Sequence, residues 1–211
     1  MTLTELPPFL ASIPVDHTIE RFGQIQKFLF QRRFSAGQTL NQFLLATANP
    51  NLLASWTPLL TAVNNTKVVA SPFVSEVENE TGEARVYGGG NATINGIEIV
   101  LGANPSPMTA KMLESRQSVV KAVRALQREL LGVYLINEHG QIGMITDGLA
   151  TPLAHRPIPI RSLFVGDKVF GGFDNVDSNA LSFVFEPVVM QNFVIVTPTN
   201  FNALHDLVNP A

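Results

Sequence analysis

Apolar residues near the N-terminus recur every three or four positions, which is the spacing of one helix face. They are Ile19, Phe22, Ile25 and Leu29. This pattern predicts a helix over 15–33, with Asp16 as its N-cap because the carboxylate can accept from free amides of the first turn. A shorter helix is predicted over 51–63, where Pro58 should lie in the first turn or break the helix. Residues 1–63 are therefore expected to form an N-terminal helical section packed on the core.

Beyond Lys67 the pattern changes to the alternation of apolar and polar residues that is typical of strands. The stretch VVASPFVSEV predicts a strand, and IEIVLG predicts another. Between them, residues 78–96 have the glycine and asparagine content of turns. Residues 64–102 are expected to form a β-hairpin or meander with an exposed arm.

A helix over 109–131 is the strongest helical prediction in the chain. Its apolar positions are Met112, Val119, Val123, Leu126 and Leu130. Two prolines precede the segment, Thr109 can cap its start, and Gly132 can cap its end. One long helix is therefore expected beside the β-rich part.

The remaining third of the chain again favours strands. A hairpin is predicted around Glu138 and His139, and three further strands are predicted, over 161–170, 180–186 and 188–197. The predicted fold class is therefore α+β. Its β-rich core, residues 64–211, is expected to be an antiparallel sandwich or barrel-like structure flanked by the long helix. One domain is expected for the 211 residues.

Composition narrows the classes of function. Charged residues make up 15% of the chain, against about 25% in typical soluble proteins, so part of the surface is expected to meet protein. The net charge of −3 disfavours general nucleic-acid binding. Cysteine is absent, which removes disulfides and thiolate chemistry. No secretory signal or membrane-spanning stretch is recognisable, so no membrane partner is expected.

Neither catalysis nor a cofactor is predicted. The four histidines stand far apart and form no metal-ligand spacing. Glu138 and His139 could act as an acid and base, but a hairpin tip is normally solvated. Asp174, Asp177 and Asn179 could offer oxygen ligands, yet the EF-hand order is missing and Asx turns explain that loop. No metal is predicted, and the protein is expected not to be an enzyme.

Two segments are predicted to contact other subunits. Gly88, Gly89 and Gly90 lack the lysine and helix of a phosphate-binding loop, so they indicate either a flexible turn or a mobile intersubunit arm. On the long helix, basic residues form one stripe, which is either a solvated face or a contact for acidic residues of a neighbour, such as Glu76, Glu78 and Glu80. The residues predicted to make intersubunit contacts are Tyr87, Gly88, Gly89, Gly90, Asn91, Lys121, Arg124 and Arg128.

The order of these segments resembles bacteriophage virion proteins of the tail-tube type. The resemblance runs over about residues 50–197 and includes VVASPFVSE, YGGGNATINGIEI, one long helix, LGVYLINEHGQIG and a late run of strands. It implies a β-sandwich flanked by one helix, with a long loop or hairpin that reaches the next ring. It further implies hexameric rings around a DNA channel, with copies of itself and other virion proteins as partners and DNA only as passing cargo. The expected location is the virion, after synthesis in the host cytoplasm.

Other functions stay open from the sequence alone. The N-terminal section departs from the tube layout, which leaves a capsid or tail-terminator protein as an alternative. A carbohydrate-binding or adhesion module is another alternative. Such modules normally present exposed aromatic platforms, whereas Trp56, Tyr87 and Tyr134 are the only Trp and Tyr residues of this chain. An enzyme without recognisable motifs would need a pocket joining Glu138 or His139 to Asp147 or Asp174.

Overall fold

The computed structural model describes residues 21–92 and 96–210. Within these residues the chain forms strands and three short helices. The strands are β1 (Ile25–Arg32), β2 (Phe43–Leu44), β3 (Val68–Ala70), β4 (Ser75–Asn79), β5 (Ala84–Gly88), β6 (Glu98–Ala103), β7 (Ser106–Leu113), β8 (Leu131–Asn137), β9 (Ile142–Thr146), β10 (Ala154–Arg156), β11 (Ile158–Val169), β12 (Ser178–Phe185) and β13 (Phe193–Val196). The helices are α1 (Leu53–Leu60), α2 (Gln117–Ala125) and α3 (Ala203–Asp206).

The prediction of an α+β protein with one long helix is wrong, because the described chain is mostly β. The segment 109–131 is divided between two elements. Its start belongs to strand β7, in which every second residue is buried. Only nine of its residues form helix α2, and a 3-10 turn follows at Leu126–Arg128. Thr109 therefore lies inside a strand and is not the N-cap of a helix. Gly132 is not a C-cap, because it lies in β8.

The prediction of a helix over 15–33 is also wrong in its described part, which contains strand β1. Asp16 lies outside the described residues. β1 is buried on both faces, since Phe28 and Phe30 point to one hydrophobic cluster and Leu29 to another. A strand with two buried faces does not show the alternation that identifies a half-exposed strand. The helix over 51–63 is confirmed as α1, with Pro58 inside it rather than in its first turn.

Six strand segments form a closed antiparallel barrel. β8 pairs with β1 and with the start of β11, β11 pairs with β12, β12 with β7, and β7 with β4. The chain just before β4 closes the ring against β1. There the amides of Ser71 and Val74 donate to the carbonyls of Phe28 and Gln26, at 2.8 and 2.9 Å. Closure leaves no open edge among these six segments, and open edges would otherwise invite pairing with other chains.

The barrel interior is filled by side chains rather than by solvent. Phe28, Phe30 and Phe183 lie at its centre, and the ring centroids of Phe28 and Phe183 are 5.3 Å apart. Helix α2 packs Val120 and Val123 against the same cluster. The interior is therefore a packed core, and the six described segments leave no channel between them.

A second cluster covers the outer face of β1, β8 and β9. Trp56 of α1 lies against Phe43 and Tyr134, with ring centroids 4.7 and 5.1 Å away. Helix α3 adds Leu204, and the buried Lys27 amine of β1 donates to the carbonyls of Leu204 and Leu207, at 3.0 and 2.7 Å. Burial lowers the pKa of Lys27 below its ordinary value. The C-terminal segment is thereby tied to the first strand of the barrel.

Residues on both sides of position 63 share one hydrogen-bonded sheet, because β1 pairs along its whole length with β8. The division into sections 1–63 and 64–211 stays a prediction about domains. The hairpin around Glu138 and His139 is confirmed as β8 and β9, and the strand predictions near 161–170 and 180–186 are confirmed as β11 and β12.

Candidate functional site

A two-stranded hairpin extends from the barrel between β4 and β7. Its strands β5 and β6 pair with each other in a sheet of their own. Backbone hydrogen bonds join its base to the barrel: the Asn104 amide donates to the Glu83 carbonyl at 2.8 Å, and the Glu80 amide to the Pro107 carbonyl at 3.0 Å. We call this hairpin, residues 84–92 and 96–103, the arm. It continues the ladder of β4 and β7 away from the core.

The arm is apolar on both of its faces. Val86 pairs with Val100, and the next pair, Tyr87 with Ile99, points to the opposite face because neighbouring side chains alternate. These side chains and Leu101 are between 49% and 67% exposed. A hairpin that merely covered a core would have one apolar and one polar face. Two apolar faces exposed to water indicate a surface that meets other protein.

The turn of the arm has the backbone that its glycines permit. Gly88, Gly89 and Gly90 have φ values of 95°, 93° and 55°, a region that residues with a Cβ rarely adopt. Asn91, in the 3-10 turn that follows, is exposed. The structure therefore brings together five of the predicted contact residues, Tyr87 included, at the outer end of one hairpin. Their role in contacts between subunits stays a prediction.

The other predicted contact residues lie on and just after α2. Lys121 and Arg128 are exposed and form no ion pair with any part of the chain that the structure describes. Arg124 differs, because its guanidinium donates to Asp167 Oδ1 at 2.6 Å and to the Gly166 carbonyl at 2.9 Å. Arg124 therefore anchors the helix to strand β11, at the irregularity in its pairing with β12, and only Lys121 and Arg128 of the predicted basic stripe are free within the described chain.

The acidic residues near the arm also include both a residue in an ion pair and residues without one. Glu76 of β4 forms an ion pair with Lys111 of β7. Glu78, Glu80 and Glu83 are exposed, and they too have no ion pair among residues 21–92 and 96–210. In its described part, the chain thus carries three acidic residues without ion pairs near the base of the arm and two basic residues without ion pairs on and just after α2.

A second apolar surface lies at the tip of the β11–β12 hairpin, and sequence reasoning missed it. Val169, Phe170 and Phe173 are exposed there. Val169 and Phe170, together with Leu113 and Val176, line a groove of about 280 Å³. The available signal was the placement of two phenylalanines around the turn residues Gly171 and Gly172. Large apolar side chains in a turn are unusual, because turns normally face water.

The polar groups considered for chemistry are engaged in local structure. Asp177 Oδ1 accepts from the Gly171 amide at 3.1 Å, and Asn179 Nδ2 donates to the Gly166 carbonyl at 3.2 Å. His139 Nε2 lies 3.5 Å from Glu138 Oε1 at the hairpin tip, where the imidazole is mostly exposed. Among the described residues, no group of three or more His, Cys, Asp or Glu could hold a metal ion.

Tyr134 is a buried titratable group of the second hydrophobic cluster, and His155 of β10 is a partly buried one. Burial raises the pKa of Tyr134 far above its ordinary value, and its hydroxyl donates to Gln31 Oε1 at 2.8 Å. Burial lowers the pKa of His155 in β10, while the nearby carboxylate of Asp147 opposes that effect. Asp147 itself accepts from the amides of Leu149, Leu153 and Ala154 and so shapes its own loop. Its pKa is lowered because these hydrogen bonds together outweigh the cost of desolvation.

Comparison with solved structures finds partial structural likenesses, two of which are described here. No protein-family model matches the chain, and no curated protein matches it. A chain in the tail of an empty GTA particle with C6 symmetry is 11% identical, with a TM-score of 0.33, over 66% of this chain and 90% of that chain. A chain in the six-fold symmetrised baseplate of the anti-feeding prophage (AFP) is 10% identical, with a TM-score of 0.33, over 85% of this chain and 97% of that chain. The function proposed below rests on the surfaces of this chain.

None of the helices in the described part of the chain has both the length and the apolar character needed to cross a membrane.

Proposed function

We propose that this protein is a non-catalytic structural subunit of a bacteriophage virion, of the tail-tube type, that assembles with copies of itself into rings. The observation that carries the proposal is the arm, which extends from a closed barrel and is apolar on both faces. The barrel needs no partner to complete its own sheet. The arm, by contrast, extends beyond the core and leaves its apolar side chains exposed to water, where a partner could cover them.

The exposed apolar surface of the arm can supply a substantial part of an assembly interface. Fully burying one large aliphatic or aromatic side chain contributes roughly 1.5–3 kcal/mol. Six such side chains of the arm are about half exposed: Val86, Tyr87, Ile97, Ile99, Val100 and Leu101. Covering what remains exposed would contribute roughly 5–9 kcal/mol before the entropy costs of association. Because association itself costs roughly 4–15 kcal/mol, the arm supplies only part of the interface energy, and further contacts must supply the rest.

The positions of the apolar surfaces favour rings or filaments over a two-fold dimer. The arm projects beyond β4 and β7, whereas the groove beside Val169 and Phe170 lies at the tip of a different hairpin. A projecting surface on one copy that meets a different, receiving surface on the next gives a head-to-tail contact. Repeated head-to-tail contacts close into rings or continue as a helical filament.

The non-catalytic part of the proposal follows from how the polar residues are used. Asp147 binds the backbone of its own loop, and Asp177 binds the turn between β11 and β12. Glu138 and His139 are at a hairpin tip, where a pair is not held with the rigidity that proton transfer requires. The proposal therefore includes no cofactor and no bound metal.

Electron microscopy and light scattering of the purified full chain would test this function. We expect rings or short tubes whose amount rises with protein concentration. The variant Val86→Ser/Ile99→Ser/Val100→Ser should stay monomeric with an unchanged melting temperature, since these residues contribute no core packing. Val63→Ser, which alters an exposed valine outside the arm, is the matched control and should assemble like the wild type. A wild-type chain that is monomeric at all concentrations would refute the proposal.

A further inference from the structure

Charge is distributed unevenly between the arm and helix α2. Residues 76–98 contain five glutamates and one arginine, whereas residues 116–128 contain three arginines, one lysine and no acidic residue. Four of the 14 basic residues of the chain therefore lie within this second short segment. In a chain with a net charge of only −3, such segregation gives two surfaces of opposite sign.

We infer that the base of the arm in one copy docks on the exposed basic face of α2 in a second copy. This inference rests on the proposed function, because it names the receiving surface for one part of the arm. The partner is a second copy of this chain, since both complementary surfaces occur on one molecule. No ion pair joins the two segments within the described part of a single chain.

The groups that remain free are exposed and can reach a neighbouring molecule. Lys121 lies on α2, and Arg128 lies in the 3-10 turn that follows it. Glu80 and Glu83 lie in the connection after β4, on opposite faces if that connection is extended. The contact therefore relies on the reach of the long lysine and arginine side chains, whose charged ends can each meet one carboxylate.

The surface between the two cations allows this close approach. Ala125 is exposed and lies four residues after Lys121 on the same face of α2, and its methyl group leaves a low surface there. The helix itself is held firmly, because Val120 and Val123 are buried in the barrel core and Arg124 is bound to Asp167. The basic face is thus rigid before docking, which lowers the entropy cost of the contact.

Reversing the charges on each surface, separately and together, would test this contact. We expect Lys121→Glu/Arg128→Glu and Glu80→Lys/Glu83→Lys each to raise the critical concentration for assembly at least about 10-fold, because like charges then face each other. The chain that carries all four substitutions should regain assembly within about threefold of the wild type. Raising the salt concentration should weaken wild-type assembly, since exposed charge pairs are screened.

A control separates this contact from a general effect of charge. Arg21→Glu/Lys67→Glu makes the same change in net charge at two exposed cations elsewhere and should assemble like the wild type. If the wild type assembles but the fourfold variant does not regain assembly, the docking contact is refuted while the proposed function stands. A wild-type chain that never assembles would refute both, and the melting temperatures of all variants report whether each has folded.

Discussion

Replacing Tyr134 by phenylalanine removes one buried hydroxyl and keeps the aromatic ring. In the wild type this hydroxyl donates to Gln31 Oε1 at 2.8 Å, while Gln31 Nε2 donates to the Thr66 carbonyl at 2.7 Å. The ring of Tyr134 stays between Phe43 and Trp56 in the variant. The substitution therefore isolates one hydrogen bond of the cluster that covers the barrel.

The expected loss of stability follows from the burial of the acceptor. Gln31 is only 3% exposed, so water cannot replace the lost donor. A buried acceptor without a partner costs about 1–3 kcal/mol. For a chain of this size, each kcal/mol corresponds to a fall of about 2–4 °C in melting temperature.

The same residue makes a prediction about alkaline pH. Burial raises the pKa of Tyr134 above its ordinary value of 10.0, so the folded protein keeps a proton that the unfolded chain releases. Stability is therefore complete below pH 10 and falls as the pH rises above it. The Tyr134→Phe variant has no hydroxyl at this position, so it should lack this contribution to the loss of stability at alkaline pH.

Urea titration followed by the fluorescence of Trp56 measures these effects directly. Trp56 is the only tryptophan of the chain, and it is fully buried beside Tyr134. Tyr87→Phe changes the only other tyrosine, which is exposed on the arm, and should leave stability within about 0.5 kcal/mol of the wild type. If the stability of Tyr134→Phe also stays within about 0.5 kcal/mol of the wild type, the hydrogen bond to Gln31 does not stabilise the cluster that covers the barrel.

Two further predictions concern the barrel and its edge. Because burial lowers the pKa of His155 below 6.5, stability should be complete above pH 6.5 and fall as the pH drops towards the folded value. Melting curves of His155→Gln should lack this loss of stability at acid pH. Those of His139→Gln, a control at an exposed histidine, should keep it. Equal losses in both variants would contradict the attribution of the loss to His155. Phe183→Ala should lower the free energy of unfolding by about 3–5 kcal/mol because it empties the barrel centre, whereas the exposed Phe173→Ala should change it little; a loss below about 1 kcal/mol for Phe183→Ala would argue against the packed interior.

The two wrong helix predictions have identifiable physical causes. In β1, Lys27 and Gln31 are four residues apart and polar, which imitates the polar side of a helix. Both are in fact buried, and both donate hydrogen bonds to backbone carbonyls. In β7, Met108, Ala110 and Met112 alternate inward as a strand requires, yet methionine and alanine favour helices by intrinsic propensity. Tertiary pairing with β4 and β12 overrode that local preference.

The candidate interface was predictable only in part. The glycine-rich arm was recognisable because three consecutive glycines tolerate the positive φ that its turn requires. The basic stripe was visible too, but sequence alone did not show that Arg124 is bound to Asp167. The apolar tip of β11 and β12 went unnoticed, because only the folded hairpin shows that Phe170 and Phe173 lie outside the core.

Local features were determined by the sequence itself: the turns, the arm, the late strands and the separation of acidic from basic segments. These depend on residues close together in the chain, such as glycine at positive φ or charges a few positions apart. Only the tertiary structure decided that β1 and β7 are strands and that the barrel closes through Ser71 and Val74. Such pairings join residues far apart in sequence, and their hydrogen bonds and burial outweigh local propensity once the sheet has formed.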